Sequence, residues 1–140
     1  MSITLLLVED NPDDETLTVL ALRKQTIANV EVVRDGQEAI DYLLNEGKDV
    51  PRLVLLDLKL PKIDGLDVLR RIRKDQRTSL TPVVILTASD APKDVTASYR
   101  LGANSYVRKP FDFDQFSEAV HQLGLYWLVV NEPPPNVRDQ

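Results

Sequence analysis

The chain has 140 residues, 43% of them hydrophobic and 28% charged, with a net charge of −5, no cysteine and one histidine. That length suits one domain with a real core, and the acidic balance argues against a non-specific nucleic-acid binder. The missing cysteines exclude a disulfide framework, a thiolate metal site and a cysteine nucleophile, as fits a reducing cytoplasm, and no apolar stretch approaches the roughly 20 residues of a membrane span.

Five strand-like runs begin near Ile3, Val30, Leu53, Val83 and Ser105, each followed by a helix-like stretch. The first run ends in Glu9 and Asp10. Asn11 is then a good N-cap, Pro12 suits the first helical position, and Asp13, Asp14 and Glu15 favour the positive end of a helix whose inward stripe would be Leu17, Leu20 or Ala21. Gly36 precedes a second helix carrying Ala39, Ile40, Leu43 and Leu44. The third run, Leu53-Val54-Leu55-Leu56, ends in Asp57 and the turn Leu58-Lys59-Leu60-Pro61. Gly65 precedes a third helix with Leu66, Leu69 and Ile72 at helical spacing. The fourth run ends in Thr87, and its helix is bracketed by Pro92 and Gly102. In the fifth, Val107 is followed at once by Arg108, Lys109 and Pro110, and the last helix carries Phe113, Phe116, Val120 and Leu123.

Nearly continuous hydrophobicity in runs one, three and four is the mark of parallel strands covered on both faces. Five β–α alternations predict an open, doubly wound α/β sheet with right-handed crossovers. The common order is 2-1-3-4-5, with a ligand crevice where strands one and three diverge.

In that arrangement Glu9, Asp10 and Asp57 share one sheet edge with Thr87 and Lys109. Two like charges about 4 Å apart repel by roughly 4 kcal/mol at an effective dielectric of 20, so three carboxylates call for a cation. Oxygen ligands without histidine or cysteine favour magnesium. Lys109 would pair with Asp57 and, after transfer, with a phosphoryl oxygen, while Thr87 offers a hydroxyl. Tyr106, beside the strand of Thr87, is either a half-buried strand aromatic or a rotameric switch. His121 reads as a helix-surface residue, not a phosphodonor.

Together these residues resemble the receiver domain of two-component response regulators. The matching motifs are Leu6-Leu7-Val8-Glu9-Asp10-Asn11, Leu55-Leu56-Asp57-Leu58-Lys59-Leu60-Pro61 with Asp64-Gly65, Val84-Ile85-Leu86-Thr87-Ala88, and Gly102-Ala103 through Lys109-Pro110, in order over about residues 3–122. The resemblance implies the flavodoxin-like, CheY-like (βα)5 fold and an aspartyl-phosphate at Asp57. It makes Asp10 a direct magnesium ligand, Glu9 a ligand acting largely through water, and the backbone carbonyl of Lys59 a further ligand. Thr87 and Lys109 would bind the phosphoryl oxygens and Tyr106 would be the switch aromatic, altering the face of the fourth helix, fifth strand and fifth helix. The partner implied is a sensor histidine kinase.

The receiver would span 1–123, and 124–140 would form an apolar, Pro-rich extension without a separate output domain. Trp127 continues the stripe of Phe113, Phe116, Val120 and Leu123, as a longer last helix packing on its own domain would have it. Yet Tyr126, Leu128 and Val130 are apolar on other faces, which marks an interaction surface. This extension is similar to that of the small receivers partnered with cyanobacterial phytochromes, which implies a single-domain regulator in light signalling, a phytochrome as kinase, and a homodimer joined through Tyr126 or Trp127. Two other classes compete. An Asp-nucleophile phosphatase would want a second acid at position 59, where this chain has lysine, and a dimeric scaffold would use no phosphotransfer.

Overall fold

The computed structural model describes residues 3–23 and 28–135. β1 (Ile3–Val8), β2 (Ala28–Val33), β3 (Leu53–Leu56), β4 (Val83–Thr87) and β5 (Ser105–Arg108) form one parallel sheet in the order β2-β1-β3-β4-β5. α1 (Pro12–Arg23), α2 (Gly36–Leu43), α3 (Gly65–Lys74), α4 (Pro92–Arg100) and α5 (Phe113–Leu125) follow their strands in turn. The sheet and its order are those the alternation predicts, with the reversal between β1 and β3.

Alternation of side chains along the strands splits the core into two layers. Leu6, Val8, Val54, Leu56, Val83 and Ile85 pack with Ala39, Ile40 and Leu43 of α2 and with Val68, Leu69 and Ile72 of α3. Leu5, Leu7, Leu53, Leu55, Val84 and Leu86 pack with Ala21 and Leu22 of α1 and with Phe116 and Val120 of α5. Because both faces are covered, the central strands carry no polar alternation.

Caps set where the helices begin. The Asn11 side chain accepts from the amides of Asp13 and Asp14 at 2.9 and 3.1 Å. Asp35, Asp64 and Asp112 do the same for α2, α3 and α5. α4 has no side-chain cap; Pro92 opens it and Gly102, at φ +100°, ends it. Its single buried residue is Ser98.

Two expected core residues face out. Leu20 is 54% and Phe113 58% exposed. In α1 the apolar run Leu20-Ala21-Leu22 offers two faces, and the helix buries Thr18, Ala21 and Leu22, which turns Leu20 away. Phe113, in the first turn of α5, instead lines a surface groove with Leu17 and Leu20.

α5 continues into a π-helical turn over Tyr126–Val130, closed by the amide of Asn131 donating to the carbonyl of Tyr126 at 2.6 Å. A wider turn advances each residue by less than an α-helical step. Leu128, expected on another face, therefore swings inward and is buried in the layer of α1 and α5, where Trp127 is half-buried beside it. Leu125, Tyr126, Val129 and Val130 stay exposed. Beyond them Pro133, Pro134 and Pro135 line one cavity with Pro51, Leu80 and Pro82, and residues 136–140 of the extension lie outside the described residues. No helix among the described residues is long and apolar enough to cross a membrane.

Gly65 holds α3 tight against the end of β3. A Cβ there would sit 2.3 Å from the carbonyl oxygen of Asp57 and 2.6 Å from the Cα of Leu58. Gly65→Ala is expected to cost about 1–3 kcal/mol in urea unfolding, as overpacking does, and an unchanged midpoint would contradict this packing.

Candidate functional site

The parallel register brings the strand ends together. Val8 pairs with Leu56 and Leu56 with Ile85, so Glu9 and Asp57 leave adjacent strands side by side. The amide of Asp57 donates to the carbonyl of Val8 at 3.1 Å, and that of Lys109 to the carbonyl of Thr87 at 2.7 Å. These backbone bonds fix the positions from which the side chains start.

Asp57 is 7% exposed, and both of its carboxylate oxygens have partners. Oδ1 accepts from the Thr87 hydroxyl at 2.8 Å and the Lys59 amide at 3.2 Å. Oδ2 accepts from Lys109 Nζ at 2.8 Å. The same ammonium donates to Glu9 at 2.8 and 3.0 Å and to Asp14 at 2.8 Å. The structure thus brings Glu9, Asp57, Thr87 and Lys109 into direct contact, as the sequence led us to expect. Asp14 is an addition. Its sequence signal was present but ascribed only to the helix dipole: an acid in the first turn of the helix leaving β1 lies over the same sheet edge as Glu9.

Asp10 is exposed, yet it offers a carboxylate oxygen that joins those of Glu9 and Asp57, all within 4.8 Å of one another. Lys59, Leu60, Pro61 and Asp64 form the wall of an open cleft beside Asp10. That wall is braced at Lys62, whose φ of +69° goes with a tight bond from the Ile63 amide to the Pro61 carbonyl at 2.8 Å. A hard-oxygen donor set of this kind, with no nitrogen or sulfur, fits a divalent cation such as magnesium.

Tyr106 is half-buried against the α2–α3 layer, and its hydroxyl donates to the carbonyl of Ser89, on the loop that follows Thr87, at 2.8 Å. Ser89 in turn donates to Asp94 in α4 at 2.5 Å. Thr87, Tyr106 and α4 are therefore joined through one loop. Tyr126 and Trp127 stand apart from this edge, packed edge to face at 5.1 Å.

Electrostatics at the site follow from counting charges. One ammonium serves three carboxylates, and burial adds to their mutual repulsion. Burial pushes Glu9 up to about 7, with the Asp57 charge adding to the rise and the Lys109 hydrogen bond opposing it. Burial alone would lower Lys109, but its bonds to Asp14, Asp57 and Glu9 outweigh that and hold it above its ordinary value. Without metal, native Glu9 keeps a proton that the unfolded chain loses near 4.5. Stability should therefore fall as pH rises from about 4.5 to about 7. Glu9→Gln should flatten that fall, by of order 2 kcal/mol across the window. Urea unfolding in chelator at several pH values measures it, and identical pH profiles for the two proteins would refute the assignment.

Comparison with known proteins agrees with this geometry. The model of the response regulator receiver domain matches residues 5–121. The probable methanogenesis regulatory protein FilR2 of Methanothrix harundinacea is 41% identical over 93% of this chain and 86% of its own length. The response regulator Rcp1 of Synechocystis sp. is 37% identical over 89% of this chain and 88% of its own. A solved Mn(2+)-bound form of response regulator Rcp1 superimposes with a TM-score of 0.91 at 36% identity, over 95% of this chain and 99% of that one. The phosphorylated cyanobacterial phytochrome response regulator RcpA gives 0.92 at 38% identity, over 96% of this chain and all of that one. With its strand order, its acidic edge and a family match running from β1 into α5, the chain belongs to the response regulator receiver domain family.

Proposed function

We propose that this receiver takes a phosphoryl group from a sensor histidine kinase onto Asp57 and signals through a changed protein surface. The observation that carries the reading is the partnering of Asp57, whose two oxygens are held by Lys109 and by Thr87 at 2.8 Å inside an acidic cluster. A carboxylate oxygen of Asp57 forms the bond to phosphorus as the phosphorus–nitrogen bond of a phosphohistidine breaks, and the imidazole leaves with the electron pair. Lys109 passes from the carboxylate to a phosphoryl oxygen, and the Thr87 hydroxyl donates to another. Magnesium held by Glu9, Asp10, Asp57 and the carbonyl of Lys59 would neutralise charge on the phosphoryl oxygens. A shift of Thr87 then draws on the Ser89 loop, and with it on Tyr106 and α4, changing the face of α4, β5 and α5.

Receivers of this family work with sensor histidine kinases. The phytochrome regulator RcpA, similar over its whole length, supports a phytochrome as the kinase here. Lysine at position 59 leaves no second acid for turnover of free substrate, so the protein is a phosphoacceptor and not a phosphatase. The exposed Leu125, Tyr126, Val129 and Val130 support a homodimer whose interface includes Tyr126 and Trp127 in the 124–140 extension.

Incubation with acetyl phosphate and magnesium should add one phosphoryl group, and chelator or Asp57→Asn should abolish the gain. Lys109→Met should slow it about 10²-fold, the usual loss for one charge-stabilising donor. A mass gain that persists in Asp57→Asn sinks the proposal. For the dimer, sedimentation at micromolar concentration should give two copies, and Tyr126→Ser should shift the protein toward one. A monomer with and without phosphorylation would refute it.

A further inference from the structure

The chain is acidic overall, but its positive charge is concentrated. α3 and α4 together carry six cations, Arg70, Arg71, Arg73, Lys74, Lys93 and Arg100, against two acids, Asp67 and Asp94. Arg73 is accounted for within the fold, because its guanidinium is spent on the carbonyls of Gly102, Ser79 and Thr81 and on Asn104. Both acids are engaged: Asp67 pairs with Arg70 on the surface, and Asp94 accepts from Ser89. Lys93 and Arg100 have no ion pair among the described residues.

Three of these cations line one groove, Lys93 and Arg100 without an ion pair among the described residues and Arg70 already paired with Asp67. Arg70 lines it from α3, and Lys93 and Arg100 line it from α4, with Thr96, Ala97 and Leu101 completing it. Lys93 and Arg100 are two helical turns apart, so their Cα atoms lie about 10 Å from each other on one face, with Thr96 and Ala97 between. We propose that this α3–α4 groove docks a short acidic segment of a partner protein, one with two carboxylates about 10 Å apart and an aliphatic side chain between them. The carboxylates meet Lys93 and Arg100, with Arg70 at the opposite rim, and the aliphatic group covers Ala97 and Leu101. Nucleic acid fits less well, since three cations around a partly apolar floor neutralise few phosphates on a chain of net charge −5. The inference does not rest on phosphoryl transfer.

The test is a ¹⁵N NMR titration of the full chain with the peptide acetyl-Gly-Glu-Leu-Gly-Glu-Gly-amide and with its Leu-to-Ser analogue. Shifts should centre on α3 and α4, weaken at least about five-fold with the serine analogue, and weaken about ten-fold in Arg70→Gln/Lys93→Gln/Arg100→Gln. Those side chains are exposed, and acetyl phosphate labelling of the variant checks that its fold and phosphoacceptor site are intact. Four outcomes would each overturn the proposal: equal binding of the two peptides, shifts centred elsewhere, tighter binding of a short DNA duplex, or low-salt self-association lost in the triple variant. The last would assign the groove to a second copy of this chain.

Discussion

One ammonium among three carboxylates organises this protein. Lys109 lies within 3.0 Å of Glu9, Asp14 and Asp57, which sit on or beside β1, α1 and β3, while Lys109 itself follows β5. Bringing these acids to one edge sets like charges against each other, at a few kcal/mol per close pair. The lysine offsets that repulsion only after the chain has returned across 100 residues. Even then the edge stays negative. Burial raises Glu9, the Asp57 charge adds to the rise, and the oxygen cluster with Asp10 is left suited to a divalent cation. Folding and cation affinity thus draw on one charge imbalance.

The surrounding architecture divides into parts that fix this edge and a part free to respond to it. β1, β3 and β4 are buried on both faces, and Gly65 lets α3 close on the backbone of Asp57, so the acceptor cannot drift. α4 is different. It buries only Ser98, has no side-chain cap, and is tied to the edge chiefly through Ser89, Asp94 and Tyr106. Elements with little buried apolar surface open at the lowest cost. A charge change at Asp57 therefore meets a rigid support on one side and a lightly held helix on the other.

Much of this was legible in the residues. Continuous apolar runs such as Leu53-Val54-Leu55-Leu56 can only be covered on both faces, which gave the sheet, and acids at the ends of two of them marked the site. Helix orientation was harder to read. The run Leu20-Ala21-Leu22 is apolar on more than one side, and burial of Thr18 with Ala21 and Leu22 turns Leu20 outward. Asp14 was hidden because an acid in a first turn already has a sufficient reason to be there. Arg73 left no trace at all, because its partners are mostly backbone carbonyls, which every residue possesses. Leu128 departs from the apolar pattern at α-helical pitch because the turn that carries it is wider.

That wider turn has a consequence for reading relatives. A π turn holds one residue more than the α turn it replaces, equivalent to an insertion that shifts helical phase by about 100°. Residues after Leu125 therefore cannot be equated between two family members by counting alone. A homologue lacking that extra residue would present a different side of the same Tyr-Trp-Leu-Val-Val sequence to the solvent. Which side chains of the segment are exposed can thus change with the gain or loss of one codon, with every side chain in the segment unchanged.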